Sequence, residues 1–471
     1  MTLVVLLFAL LVVFTSRWSV FEAESLENES ANRRPLIEQA QIPRGIITAT
    51  DGTVLARNQQ RGSGSSAIFT RLYPQNELMV HAMGYSFIDR GQAGTEQFRN
   101  DALAGLSDEF STILDELTGG VDAGDDVRLT LDPDVQRAAV AALGGRRGGV
   151  VAIEPSTGRV RAMVSVPQYD PNTIPDNFAE LASDDESSPL LNRATQATYP
   201  PGSTFKVVTA TAALDTGEFT PSSTLDGSSP QEISGVDLSN CCTEGSGDFG
   251  PLPFSTALQR SVNTAFANVG VQIGRGTLVE YMKRFGFYED PPLDYPDGQM
   301  APSGIFNRDG ELVEDGFDVG RAAIGQGGAE GQTRATPLQM AMVAAAIGND
   351  GVLMEPRLTE RIVAPDGRVE ERVEPEEHRR VMKEETAAQM QQLMRGVVQS
   401  GTAAGTGLDE FQAAGKTGTA EVADHNQAWF ITFAPADDPQ IAIAATVEET
   451  QGQGASVAAP IARRVLQEIL G

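Results

Sequence analysis

Tyr199-Pro200-Pro201-Gly202-Ser203-Thr204-Phe205-Lys206 decides how the rest of the chain is read. Two prolines and a glycine make an abrupt entry, and Val207, Val208, Ala210, Ala212 and Ala213 then mark a helix over Thr204 to Leu214. That reading puts Ser203 in the first turn, where backbone N–H groups have no intrahelical partner. Lys206 is three residues on and so lies on the same face, about one turn along. A serine hydroxyl is a poor nucleophile until a base takes its proton, and a partly desolvated lysine beside it can be that base. Taken alone, Ser-x-x-Lys reads better as a helix cap followed by a surface lysine.

Lysine usage changes that balance. The chain has four lysines, Lys206, Lys283, Lys383 and Lys416, and nearly all its other positive charge is arginine. Arginine stays protonated and cannot act as a general base, so lysine must persist where a removable proton is needed. Lys416 opens Lys416-Thr417-Gly418-Thr419, and Ser261-Val262-Asn263 lies between the two lysine motifs, in a stretch predicted helical from Leu258 to Ile273. Ser-x-Asn alone carries almost no information; the order and spacing of the three motifs do.

Together these motifs resemble the penicillin-binding protein family, serine acyltransferases of the penicilloyl-transferase fold. Ile324-Gly325-Gln326-Gly327, Thr336-Pro337-Leu338-Gln339-Met340-Ala341 and Gly415 to Glu421 extend the resemblance to the monofunctional, class B branch, from about Asp122 to the end. The small N-terminal region makes the chain most similar to the actinobacterial penicillin-binding protein A group. Many relatives carry Ser-Cys-Asn or Ser-Ser-Asn where this chain has Val262 in the middle, a position that usually points away from substrate.

The resemblance implies an α/β (α+β) fold, β-lactamase-like, with an antiparallel sheet and helices on both faces. The order of elements fits it. Val127 to Leu131 alternates like a strand, and Asp132-Pro133 is a helix start with a carboxylate cap. Gly149 to Ile153 and Arg159 to Val164 read as a hairpin, and Asp215 to Gly250 as loop. Thr336 to Ile347 and Glu384 to Val398 read as helices. Phe411 to Val422, Ala428 to Phe433 and Gln440 to Val447 read as consecutive strands, followed by a closing helix over Ala459 to Leu470.

The chemistry implied is acyl transfer through a covalent acyl-enzyme on a D-Ala-D-Ala peptide. Ser203 attacks, Lys206 takes the proton in its neutral form, and Ser261 relays a proton to the leaving D-alanine. The backbone N–H groups of Ser203 and Thr419 hold the oxyanion. Asn263 orients Lys206 and binds the donor peptide. Lys416, Thr417 and Thr419 receive the terminal carboxylate, and Gly418 lets substrate backbone lie against the strand. No cofactor or metal is implied. The implied partners are peptidoglycan stem peptides, a lipid-linked precursor, β-lactams as inhibitors and a membrane-embedded glycan polymerase. Rival readings are a D,D-carboxypeptidase or β-lactamase of the same fold, and a non-catalytic β-lactam-binding scaffold or sensor.

The 471 residues carry a formal charge of −29, which argues against a nucleic-acid partner because no basic footprint is present. Cys241 and Cys242 are too few for a disulfide framework, and two thiols in a loop is the favoured state. His81, His378 and His425 are isolated from one another in sequence, with no metal-ligand spacing. His425 reads as a hairpin-turn residue.

Residues 1–21 read as a membrane anchor built on the apolar run Leu3 to Phe14, with Arg17 snorkelling, and a cleaved signal peptide is the rival; the family resemblance implies an uncleaved anchor with the rest outside the cytoplasm. The run is short, and no Lys or Arg precedes it. Residues 22–120 read as a linker and a small non-catalytic region, and 121–471 as the transpeptidase domain. Within the former, Arg44-Gly45-Ile46-Ile47 and Asp51-Gly52 predict two short strands about a turn, and Gly94-Thr95-Glu96-Gln97-Phe98 is a second partial match to that region.

Overall fold

The computed structural model describes residues 41–63, 67–106, 123–240, 247–328, 331–422 and 424–471. The expected anchor at 1–21 and the Cys241–Cys242 pair lie outside these. Among the described residues no helix is long and apolar enough to cross a membrane.

The N-terminal part begins with β1 (Ile47–Thr48), β2 (Val54–Arg61) and β3 (Ile68–Leu72), the first two joined by the Asp51-Gly52 turn. Next come β4 (Asp126–Leu129), α1 (Pro133–Leu143), β5 (Gly148–Ile153) and β6 (Val160–Val166). The Asp132 carboxylate accepts from the N–H groups of Asp134 and Val135, the cap that the Asp-Pro pair predicts. Then follow α2 (Lys206–Asp215), α3 (Phe254–Gln259), α4 (Asn263–Arg284, kinked at Gly274) and α5 (Pro337–Gly348). The C-terminal third holds β7 (Thr359–Val363), β8 (Val369–Arg372), α6 (Glu384–Ser400), β9 (Ala414–Val422), β10 (His425–Ala434), β11 (Ile441–Thr450) and α7 (Gly454–Leu470).

Two sheets organise the molecule. The larger-stranded one has the order β8-β7-β4-β1-β2-β3, so β1–β3 share a sheet with strands from much later in the chain. The two partial motifs of this region meet beside it. Glu96, fully buried, is paired with Arg71 at 2.7 Å and Arg44 at 3.1 Å, which compensates a carboxylate that could not be buried alone.

The second sheet, β9-β10-β11-β5-β6, is antiparallel throughout. Along its strands, residues alternate between two cores, with a register shift where Val160 and Ala162 meet β5. Trp429, Ile431, Phe433, Ala442, Ala444, Val151 and Met163 face the core that includes α2 and α5. Ala428, Phe430, Ile441, Ile443, Val150, Ala152 and Val164 face the core with α1 and α7. Apolar residues on both faces mean that helices must cover both, as expected from sequence. The helix α2 lies inside: all of Lys206–Asp215 is buried, which suits its run of valine, alanine and threonine.

Candidate active site

The Ser203 element is tighter than predicted. Gly202–Phe205 form one 3₁₀ turn, and the α-helix starts only at Lys206. The turn is packed against β9 at distances that two glycines permit. Gly202 has φ +52°, and a Cβ there would lie 2.8 Å from the Thr419 carbonyl oxygen. A Cβ on Gly418 would lie 2.7 Å from the Pro201 carbonyl oxygen and 2.8 Å from Thr204 Cγ2. The space on the Cβ side of Gly418 is filled by the serine turn itself, so packing of that turn gives a reason for glycine here beside the expected room for substrate backbone. Entry to the turn is clamped as well. The Trp429 indole donates to the Pro200 carbonyl at 2.9 Å, and the Tyr199 ring packs edge-on against that indole. The Tyr199 hydroxyl donates to Glu448, which Arg193 also holds at 2.7 Å.

The predicted helix from Leu258 to Ile273 is broken, and the break creates the second motif. The α3 helix ends in a Schellman cap. The Ser261 N–H bonds to the Leu258 carbonyl at 3.1 Å and the Val262 N–H to the Ala257 carbonyl at 2.9 Å. Ser261 takes the left-handed position usually held by glycine, with φ +59°. Asn263 then starts α4. Ser261 and Asn263 are thus presented from a sharp corner, with Val262 turned into the core at 1% exposure.

Four predicted residues meet at Lys206, whose side chain is fully buried. Its Nζ lies 3.0 Å from Ser203 Oγ, 3.2 Å from Ser261 Oγ, 2.7 Å from the Ser261 carbonyl and 2.6 Å from Asn263 Oδ1. Lys416 is equally buried and donates to the same Ser261 hydroxyl at 2.8 Å and to the Thr417 carbonyl at 3.0 Å. One hydroxyl therefore bridges two lysines that are 210 residues apart in sequence. Burial and a second cation nearby both disfavour keeping two full charges here.

The remaining predicted residues lie along β9. The Thr417 hydroxyl is within 2.6 Å of the Thr402 hydroxyl, and Thr417 is 7% exposed. The Thr419 hydroxyl accepts the Gly454 N–H at 3.1 Å and keeps its own proton to donate. Because the Thr419 carbonyl points at the Gly202 turn, the N–H of the same residue points that way too, along the open edge of β9.

Sequence reasoning missed several supports. Thr402, Asn240, Ser239 and Trp429 hold the motif residues but carry no local signature. Two supports had a signal, since each stood in a quoted motif: Tyr199 and Gly325. The Gly325 carbonyl accepts the Gly202 N–H at 3.0 Å, and its φ of +71° excludes most other residues. The histidines are elsewhere: His81 is buried against the Pro167 carbonyl, His378 lies between Glu289 and Glu355, and His425 opens β10 beside the hairpin turn.

A buried lysine joined to two serines and an asparagine, on a helix set against the edge of an antiparallel sheet, defines a serine acyltransferase of the penicillin-recognising type. The penicillin binding protein transpeptidase domain matches residues 148–467, and the penicillin binding protein A dimerisation domain matches residues 44–127. The chain belongs to the penicillin-binding protein family, in its class B branch. It is 35% identical to the peptidoglycan D,D-transpeptidase PbpA of Mycolicibacterium smegmatis, over 99% of this chain and 97% of that one. The PbpA of Mycobacterium tuberculosis is 32% identical over the same shares. A ceftriaxone acyl-enzyme complex of penicillin-binding protein A from M. tuberculosis matches with a TM-score of 0.80 at 31% identity, covering 92% of this chain and 100% of that one.

Proposed function

We infer that this chain is a peptidoglycan D,D-transpeptidase that works through an acyl-enzyme on Ser203 and is inhibited by β-lactams. The observation that carries the reading is the fully buried Lys206 amine, within hydrogen-bond reach of Ser203 Oγ, Ser261 Oγ and Asn263 Oδ1 at once. In the reading, Lys206 is neutral when substrate binds. Ser203 Oγ bonds to the carbonyl carbon of the D-Ala-D-Ala link, and its proton passes to Lys206. The oxyanion sits between the N–H groups of Ser203 and Thr419. The C–N bond breaks, and the departing D-alanine takes a proton through the Ser261 hydroxyl. An acceptor amine then attacks the ester and gives up its proton to Lys206, which passes it to Ser203 Oγ as the ester C–O bond breaks, restoring the serine hydroxyl and the neutral lysine.

Lys416 holds the Ser261 hydroxyl and supplies positive potential for the substrate's terminal carboxylate. Thr417 and Thr419 offer hydroxyls to that carboxylate. Asn263 holds Lys206. The donor is a peptidoglycan stem peptide, the acceptor a second one on nascent glycan made from a lipid-linked precursor. The fold works outside the cytoplasm, anchored through residues 1–21 and coupled to a membrane-embedded glycan polymerase.

The test separates transfer from hydrolysis. Purified protein is given a D-Ala-D-Ala-terminated stem peptide and an amine acceptor, and the two products are separated by chromatography. Transfer exceeding hydrolysis at millimolar acceptor supports the reading. Hydrolysis alone moves the assignment to a D,D-carboxypeptidase, and rapid turnover of penicillin moves it to a β-lactamase.

A further inference from the structure

The helix α4 that carries Asn263 has no cap of its own. Val262 occupies the cap position and offers no side-chain acceptor. The preceding Ser261 hydroxyl is taken up by the two lysines. The cap arrives instead from a separate loop. Asn240 Oδ1 accepts the Thr264 N–H at 2.9 Å and the Thr264 hydroxyl at 3.2 Å. Thr264 is the second residue of the helix, the position whose N–H a cap residue normally satisfies.

The Asn240 carboxamide is spent completely on this task. Its Nδ2 donates to the Gly227 carbonyl at 3.0 Å and the Gly247 carbonyl at 2.9 Å, and its backbone N–H donates to Ser229 Oγ at 2.9 Å. With both donors committed to carbonyls, only the oxygen can face the helix. The neighbouring residue completes the arrangement: the Ser239 carbonyl accepts from Asn263 Nδ2 at 3.3 Å. That contact fixes which end of the Asn263 amide meets Lys206. The NH₂ group is drawn toward Ser239, and the oxygen is left facing Nζ at 2.6 Å.

We propose that Asn240 is a positioning residue for the acylation step: it caps the catalytic asparagine's helix from outside and, with the Ser239 carbonyl, orients the Asn263 carboxamide so that it holds Lys206 against Ser203. The proposal rests on Lys206 acting as the base. Asn240 does not touch substrate or the reacting atoms. It acts through Asn263, and that dependence makes it testable.

The experiment measures the acylation rate constant and the prior binding constant separately, by stopped flow with a fluorescent penicillin. The proteins are wild type, Asn240→Leu, Asn240→Asp, Asn263→Ala and the Asn240→Leu/Asn263→Ala double variant, each also followed by thermal melting. Asn240→Leu is expected to lower the acylation rate constant by roughly ten- to a hundredfold with little change in binding, because a misplacement of about 1 Å costs on that order. Asn240→Asp keeps an acceptor at the cap but sets an oxygen against the Gly227 and Gly247 carbonyls, so it is expected to recover only part of the rate that Asn240→Leu loses. In the Asn263→Ala background the same Asn240→Leu change should cost less than about threefold, since the residue it acts through is gone.

An equal loss in both backgrounds, or no loss in either, overturns the proposal. If Asn240→Leu does not fold, the same comparison is made with Asn240→Asp: an equal loss in the wild-type and Asn263→Ala backgrounds overturns the proposal. Wild-type acylation by Asn263→Ala also overturns it, whereas failure of the underlying reading shows separately, as near-wild-type acylation by Lys206→Arg.

Discussion

Gly418→Ala distinguishes what the third motif's glycine is for. The added Cβ would sit 2.7 Å from the Pro201 carbonyl oxygen and 2.8 Å from Thr204 Cγ2, with Trp429 Cβ 3.0 Å away on the other side. Ordinary contact begins at 3.4 Å, so the serine turn must retreat by 3.4 − 2.7 = 0.7 Å or more. The β9 strand is held by the pairing of Gly418 with Trp429 and by the close approach of Gly454 to the Gly418 backbone, so the turn is the part that yields. The turn carries Ser203, so the shift separates the nucleophile from Lys206 and from the Thr419 N–H. A displacement near 1 Å costs about a hundredfold in rate, and overpacking of this kind costs about 1–3 kcal/mol in stability. The assay is stopped-flow acylation by a fluorescent penicillin with binding and bond formation resolved. The expected result is a fall of roughly ten- to a hundredfold in the acylation rate constant, with binding nearly unchanged. Weaker binding with an unchanged rate constant would refute the reasoning and leave room for substrate as the reason for glycine.

Three other outcomes are expected. Lys206→Arg should impair acylation as severely as Lys206→Ala, by about 10²–10⁴, because arginine cannot give up its proton near neutral pH; near-wild-type acylation by Lys206→Arg would remove Lys206 from the role of base. Ser261→Gly and Ser261→Ala should both lose activity, yet the glycine variant should be more stable by about 1 kcal/mol in denaturant titration, since only glycine takes φ +59° without cost. His81, buried beside the Pro167 carbonyl, has its pKa lowered from 6.5 to about 4 by desolvation. The unfolded chain therefore binds the extra proton between those values, and the stabilisation is complete above pH 6.5 and lost as pH falls toward 4. The loss is about 3 kcal/mol at roughly 1.36 kcal/mol per unit, so His81→Gln should lose less stability than wild type between pH 7 and 4 in chemical denaturation; identical losses would show that His81 titrates normally.

Motifs and periodicity carried much of this architecture. The Asp132-Pro133 cap, the three C-terminal strands and the helices at Pro337 and Glu384 were readable because each has a local signal: a cap residue, a period of two, or an apolar face. The break at Ser261 was not readable. A Schellman cap usually announces itself with glycine, and here a serine occupies the left-handed position because the hydroxyl is needed between Lys206 and Lys416. The approach of the serine turn to Gly418 was hidden for a related reason. A glycine in a strand signals close approach but does not say what approaches. Asn240, Thr402 and Trp429 were silent because their partners lie far away in sequence. Asn240 caps a helix that begins 23 residues later, and no sequence window contains both ends of that contact.

The central claim is that Ser203, activated by Lys206, carries the acyl group. Incubating the protein with penicillin, digesting it and locating the adduct by mass spectrometry tests that claim most directly. The account predicts a stable adduct on the peptide containing Ser203, absent from Ser203→Ala. An adduct on Ser261 or any other residue, or label that persists in Ser203→Ala, would contradict it.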